Sequence, residues 1–365
     1  MSPGQGASDA RPKKGTRTRP RAAWAYRSRG KGEGFVTLAA IAFSALAGCV
    51  SEKQPGASAA YSPSENRGLE SLLEQPRARP DLEENRGPSA PGEKKPPPRK
   101  GRCGAFDCAF FDGADSALAW TIAEHSPSVI AFGEAHAQEG TPGKSTALRF
   151  ADELLPALAP QSHFLLVELL VPPSGCAEAK EKVQTESDKV TEGQSKENQN
   201  DYITLGHRSK ALGVPVDVLR PSCAEFETIA ADPEPVFRMM TLIAELSTKV
   251  VLEERAKAPS HKPLILTYGG ALHNDIEPRP GFEPMSFGPA LLEKTSGRYI
   301  EIDLVRPEGL NESAWARLAW FDALPSAESQ RKPHETALVR RGPGSYALLL
   351  TAAPLAKEPS QELQQ

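Results

Sequence analysis

The N-terminal part of the sequence lacks an apolar run long enough to cross a membrane as a helix. Residues 35–46 (FVTLAAIAFSAL) are apolar over only twelve positions, whereas a spanning helix needs about 20 residues. Acidic residues are scarce there as well, because residues 1–34 hold nine Lys or Arg and only Asp9 and Glu33. A basic segment, a short apolar core and small residues behind it are typical of an export signal. We therefore predict that residues 1–48 are a signal peptide.

The predicted signal ends in a cysteine motif, residues 46–49 (LAGC). This motif resembles the lipobox of bacterial lipoproteins, in which the cysteine is acylated and becomes the new N-terminus. We predict cleavage before Cys49 and attachment to a membrane through lipid on Cys49; an ordinary signal peptide or an uncleaved anchor is the alternative. Val50 stands where an Asp retains many such proteins in the inner membrane, which favours the outer membrane of the cell envelope.

The chain without its signal has no excess of positive charge. The full sequence holds 43 basic and 47 acidic residues, and removing the 9 basic and 2 acidic residues of 1–48 leaves 34 and 45. The mature chain therefore carries a formal net charge of −11. Sequence-independent binding to nucleic acid depends on Lys and Arg neutralising phosphates, so no nucleic-acid partner is expected.

Cysteine is also scarce, and none of the five cysteines forms a CxxC pair. Disulfides persist in the oxidising compartments that exported proteins reach. With Cys49 reserved for lipid, the other four cysteines allow three connectivities. We predict Cys103–Cys108, whose short loop closes easily, and Cys176–Cys223; a metal site is the alternative.

The composition divides the chain into four further segments. Residues 50–102 are rich in Pro, Gly, Ser, Glu and Arg, and we predict a disordered tether because they bury too little apolar area to offset their ordering entropy. One folded domain is expected over residues 103–353, which is long enough for one substantial core. Residues 177–200 have almost no large apolar side chain and are predicted to be a solvated insertion. Residues 354–365 are predicted to be a disordered polar tail.

Within the folded domain, short apolar runs alternate with amphipathic stretches. The predicted strands are 128–132, 163–168, 214–219, 263–268, 299–304 and 345–351. The predicted helices are 114–125, 144–158, 201–212, 235–257, 286–296 and 312–322. Continuous Val, Ile and Leu runs are expected for strands covered on both faces. The alternation therefore predicts an α/β fold with a mainly parallel sheet flanked by helices.

Polar residues follow three of these predicted strands. Glu134 and His136 come after the first strand, next to Gly133, which allows a close turn of the backbone. Glu168 closes the second strand, and His273 follows a later one. Ligands bind beyond the carboxyl ends of strands in such sheets, so these side chains form a candidate site. Carboxylates beside imidazoles serve either as metal ligands or as a general base with its orienting partner; solvated turns are the alternative.

The order of these motifs resembles the ChaN-like, Tiki and erythromycin-esterase superfamily. That group has a GExH motif after its first strand, a Glu after its second and a GxxH motif after a later strand. The resemblance covers most of residues 114–305 and implies that catalytic or metal-binding residues are Glu134, His136, Glu168 and His273. It implies cofactor contacts at Gly133, Gly270 and Tyr268; candidate haem-ligating tyrosines are Tyr202, Tyr268 and Tyr299.

Three functions follow from this resemblance and from the site residues. The first is a membrane-anchored lipoprotein that binds haem, iron or another divalent metal ion, with a possible place in iron uptake. The second is a hydrolase in which a metal ion or a His/Glu pair activates water. The third is a non-catalytic surface protein that presents residues 177–200 to a partner. The sequence leaves open whether the protein is an enzyme.

Overall fold

A computed structural model describes residues 97–309 and 314–352 of the chain. The predicted signal peptide, the lipobox cysteine, most of the predicted tether and the polar tail lie outside these residues. Within them, no helix combines the length and the apolar character that spanning a membrane requires.

One sheet of nine strands organises the described part of the chain. The strands are β1 (Arg99–Cys103), β2 (Phe106–Phe111), β3 (Val129–Glu134), β4 (Ser162–Leu170), β5 (Val216–Leu219), β6 (Leu264–Gly270), β7 (Tyr299–Val305), β8 (Thr336–Gly342) and β9 (Ser345–Leu349). Their order across the sheet is β1-β2-β8-β9-β7-β3-β6-β4-β5. The pairs from β9 to β5 are parallel, whereas β1, β2, β8 and β9 pair antiparallel.

Helices cover both faces of this sheet. They are α1 (Ala114–His125), α2 (Thr146–Arg149), α3 (Leu155–Leu158), α4 (Ala177–Thr191), α5 (Asn198–Ala211), α6 (Cys223–Ala231), α7 (Pro235–Lys257), α8 (Gly288–Lys294) and α9 (Ala323–Gln330). A π-helical turn, Phe150–Leu154, joins α2 to α3. The predicted α/β fold with a mainly parallel sheet flanked by helices is therefore confirmed.

Side-chain alternation explains how the core forms on both sides of the central strand β3. Ile130 and Phe132 pack with α1, the α2–α3 stretch and α5 on one face. Val129 and Ala131 pack with α4, α6, α7 and α8 on the other face. β3 therefore buries both of its faces, as its continuous apolar run predicted.

Three strands and the helices α4, α6 and α9 were not predicted, and one predicted helix is wrong. The antiparallel strands β1, β2 and β8 were not predicted, because their sequences mix charged and apolar residues and lack a continuous apolar run. β1 begins at Arg99, inside the segment predicted to be tether, so the ordered fold begins before residue 103. The predicted helix over 312–322 is wrong in its described part, since Ala314–Arg317 form a 3₁₀ turn and α9 begins only at Ala323.

The predicted solvated insertion, residues 177–200, contains a regular helix. Most of α4 is exposed, but Ala179 and Val183 are buried and pack against the same core as α6 and α7. Both predicted disulfides, Cys103–Cys108 and Cys176–Cys223, are present. The second disulfide joins the start of α4 to the start of α6.

Candidate functional site

The four predicted site residues come together where three neighbouring strands end. β3 and β4 pair with β6 on its two sides, so the carboxyl ends of all three strands meet at one edge. Glu134 ends β3, Glu168 lies near the end of β4, and His273 follows β6. The backbone of Gly270 lies at their centre: a Cβ there would be 3.1 Å from His136 Nε2 and 3.6 Å from Glu168 Oε1.

Two tyrosines hold the carboxylate of Glu134. Tyr202 on α5 donates its hydroxyl to Glu134 Oε1 at 2.8 Å, and Tyr268 on β6 donates to Oε2 at 2.6 Å. Glu134 Oε1 also lies 3.4 Å from His136 Nδ1. Glu134 is only 4% exposed, and a carboxylate buried this deeply needs such donors. These contacts fix the carboxylate and, through it, the imidazole of His136.

The candidate haem-ligating tyrosines have other partners in the structure. Burial and the charge of Glu134 raise the pKa of Tyr202 and of Tyr268 well above 10. Tyr299 is also buried, and its hydroxyl donates to the backbone oxygen of Asn274 at 2.7 Å. All three hydroxyl groups therefore act as protonated hydrogen-bond donors, which does not fit the role of a tyrosinate ligand to haem iron.

The side chain of Glu168 reaches the site by packing directly against Gly269, which has no side chain. A Cβ at Gly269 would lie 2.1 Å from Glu168 Oε2, so the glutamate occupies the space that another residue's side chain would fill. The backbone N–H of Gly270 donates to Glu168 Oε2 at 3.1 Å. Burial raises the pKa of the Glu168 carboxyl, although the nearby His273 and His136 oppose the shift. Glu168 can therefore carry a proton more readily than an exposed glutamate.

His273 is fixed at both ring nitrogens. Its Nδ1 lies 2.7 Å from the backbone oxygen of Met285, which can only accept, so Nδ1 carries a proton. Its Nε2 lies 3.5 Å from Glu168 Oε1. The residue is only 2% exposed. His273 and Glu168 thus form a second buried His/Glu pair beside the pair of His136 and Glu134.

His136 is the most accessible of the four residues, with 30% of its side chain exposed. Desolvation alone would lower its pKa, but the hydrogen bond and the charge of Glu134, together with the charge of Glu168, raise the pKa of His136 above 6.5. Because Nδ1 faces Glu134, Nε2 faces the space above Gly270. This arrangement suits a base that takes a proton from a bound molecule.

Two features of the site were not predicted from the sequence. Tyr202, previously only a candidate haem ligand, orients Glu134 from 68 residues away. The loop after His136 is also bonded to the end of the 177–200 segment: Ser195 N donates to Ala137 O at 2.7 Å, and Asn198 Nδ2 donates to the same oxygen at 3.1 Å. This segment therefore forms one wall beside His136.

Gly133 has a different role from the one predicted. It lies within β3 rather than in a turn, and a Cβ there would be 2.4 Å from Asp303 Oδ1 and 2.6 Å from Asn274 Nδ2. Glycine is therefore required by the close approach of polar side chains under the strand. The backbone turns only after Glu134.

The residues do not form a ready-made centre for the cofactors that the resemblance implies. Among the described residues, no group of three or more His, Cys, Asp or Glu side chains is arranged so that it could hold a metal ion. The tyrosines that could ligate haem are buried donors, as described above. What the arrangement does offer is two His/Glu pairs, with His136 Nε2 and Glu168 Oε1 both close to Gly270.

Comparison with known proteins gives no match. No family model matches the sequence, and no curated protein or solved structure matches it significantly. The resemblance to the ChaN-like superfamily therefore depends on the motifs alone, and any function has to be argued from the site itself.

Proposed function

We propose that the site hydrolyses an ester or amide bond, with His136 as the general base. The observation that supports this proposal most directly is the orientation of His136 by Glu134, whose carboxylate is itself held by two buried tyrosines. A carboxylate that fixes the ring and its tautomer leaves the other ring nitrogen available for proton transfer. Such a base contributes about 10²–10⁴-fold to a reaction rate.

The reaction that we propose uses both His/Glu pairs. Neutral His136 takes a proton from water at Nε2 as the water oxygen bonds to the carbonyl carbon of the substrate, and the carbonyl π electrons move onto the carbonyl oxygen. This pair re-forms the C=O bond as the bond to the leaving group breaks, and protonated Glu168 gives its proton to that group. A proton passing from His136 to Glu168 then restores both residues. The raised pKa of Glu168, which burial causes, supports its role as the acid.

We propose further that the protein is a ChaN-like lipoprotein that acts in the cell envelope, at the outer membrane. The LAGC motif supports lipid attachment at Cys49. Two disulfides in the folded domain are in keeping with an oxidising compartment. The bonds between the 177–200 segment and the His136 loop favour a role for that segment in the site over presentation to a separate partner.

The test is hydrolysis of p-nitrophenyl esters and peptide p-nitroanilides by the purified protein. His136→Asn retains a donor toward Glu134 but no base, so kcat/KM is expected to fall at least 100-fold. His334→Ala is the matched control, because this histidine is exposed and pairs with the exposed Asp112 at 3.6 Å. No turnover of any substrate in the panel, or full activity in His136→Asn, would refute the hydrolase.

The binding alternative is decided with the same protein samples. Elemental analysis and absorbance after incubation with haemin report on metal and haem. A stoichiometric divalent ion that is lost in both His136→Ala and His273→Ala, or a Soret band that depends on Tyr202 or Tyr268, would replace the proposed mechanism with metal or haem binding.

A further inference from the structure

Two buried carboxylates on β7 share one guanidinium group. Arg341 on β8 donates from Nη1 to Asp303 Oδ2 at 2.5 Å and from Nη2 to Glu301 Oε1 at 2.8 Å. All three side chains are at most 8% exposed. The two planar groups on β7 are therefore held by the forked donor geometry of one arginine.

The remaining oxygen of each carboxylate accepts a hydrogen bond from residues 274–276, the segment that follows His273. Asn274 Nδ2 donates to Asp303 Oδ1 at 3.1 Å, and the backbone N–H of Ile276 donates to Glu301 Oε2. Each acid thus uses one oxygen for Arg341 and the other for the chain beside His273. The β7 carboxylates connect β8 directly to the site.

The Asp303–Asn274 hydrogen bond also passes close beneath the strand that carries Glu134. Gly133 leaves the space for it, since a Cβ at this position would lie within 2.6 Å of both partners. The bond therefore lies against Gly133, the residue before Glu134, and its donor Asn274 is the residue after His273. Both His/Glu pairs depend on the geometry at this point.

A purely structural role does not explain why this network is charged. Burying two carboxylates and a guanidinium carries a desolvation penalty, and well-packed apolar residues often stabilise a fold equally well. Apolar residues cannot, however, provide directional acceptors for the side chain of Asn274 and the N–H of Ile276. The feature that the charged network supplies is a fixed position for this segment.

We propose that Asp303 and Glu301, held by Arg341, are positioning residues that set His273 against Glu168. This inference rests on the proposed hydrolase function for its kinetic consequence. Its structural content is independent, because the His273 Nδ1–H that bonds to Met285 O reports on the position of this segment. Misplacement of a reacting group by about 1 Å can lower a rate about 100-fold.

The experiment compares Asn274→Ala with Asn200→Ala in the full-length protein. Asn274→Ala removes the donor to Asp303, whereas Asn200→Ala is the same substitution at an exposed amide that donates to Glu197. Two readouts are used: the NMR resonance of the His273 Nδ1–H and the steady-state kinetics on the substrate found above. Asn274→Ser, with a shorter donor, replaces the alanine variant if the latter does not fold.

In Asn274→Ala we expect the His273 Nδ1–H resonance to shift or to exchange faster, with kcat at least tenfold lower and KM within twofold. Asn200→Ala is expected to keep both readouts near those of the unmodified protein. An unchanged His273 resonance in a folded Asn274 variant would overturn the positioning role. Loss of the resonance without any measurable hydrolysis in the unmodified protein would instead retain positioning and refute the hydrolase.

Discussion

Substitutions at the adjacent glycines Gly269 and Gly270 are expected to separate effects on the stability of the fold from effects on catalysis. At Gly269, an ideal Cβ would lie 2.1 Å from Glu168 Oε2 and 2.6 Å from Glu168 Cβ. Rotation of the carboxylate cannot relieve the second contact, because it involves the first atom of that side chain. Overpacking typically costs about 1–3 kcal/mol, and loss of the hydrogen bond from the Gly270 N–H to Glu168 costs about 0.5–1.5 kcal/mol. We expect Gly269→Ala to destabilise the fold by about 1.5–4.5 kcal/mol.

The matched change, Gly270→Ala, is expected to lower the activity while leaving the stability of the fold nearly unchanged. Its Cβ would lie 3.1 Å from His136 Nε2 and 3.6 Å from Glu168 Oε1, and His136 is exposed enough to move by a few tenths of an ångström. The stability change is therefore expected to stay within about 1 kcal/mol. The new methyl group fills the space between the proposed base and acid, so kcat/KM is expected to fall at least tenfold.

Urea unfolding followed by tryptophan fluorescence, with both disulfides intact, measures the stability of the two variants. Equal m-values ensure that differences in midpoint report stability. The reasoning fails if Gly269→Ala unfolds within about 1 kcal/mol of the unmodified protein, or if Gly270→Ala is the less stable of the two. Full activity in Gly270→Ala would show that the space above Gly270 is not where substrate reacts.

Three further predictions concern charge and covalent links. Glu134→Gln removes the negative charge and the charged acceptor beside His136, so an NMR titration should give His136 a lower pKa than in the unmodified protein. An unchanged pKa would contradict the pairing of His136 with Glu134. The disulfide that closes 47 residues should stabilise the fold by about 4 kcal/mol and the one that closes five by about 2, as measured by Cys→Ala pairs; equal losses would count against the loop-entropy estimate. Burial alone would raise the pKa of Glu335, but hydrogen bonds from Arg99 and the Lys332 N–H lower this pKa to about 2. The stabilisation that the ionised carboxylate gives to the fold is present above about pH 4.5 and is lost as the pH falls toward 2. Arg99→Ala should therefore destabilise the fold more at pH 7 than at pH 3.

The parallel half of the sheet could be predicted because its strands are continuous apolar runs. β3 and β6 are buried on both faces, so their sequences have few competing interpretations. The site residues followed from the same pattern, since carboxyl ends of parallel strands collect at one edge. The sequence could therefore predict four residues of the site, Glu134, His136, Glu168 and His273.

The remaining features depend on contacts that local patterns do not encode. Tyr202 lies on a polar helix and reaches Glu134 only through the tertiary packing of α5. Glu301 and Asp303 alternate with apolar residues in β7, a pattern that ordinarily indicates a solvated face. Both are buried, because Arg341 arrives from β8, a strand that was itself not predicted. Long-range charge pairing decided these positions.

The Cys176–Cys223 disulfide has a consequence for proteolysis of the exposed helix α4. Lys182 and Lys189 are exposed and lie between the two cysteines in sequence. A trypsin cut after either lysine would divide the polypeptide, yet the halves would stay joined through the disulfide. The nicked protein should therefore migrate as one species on a non-reducing gel and separate into two fragments only after a thiol reductant is added.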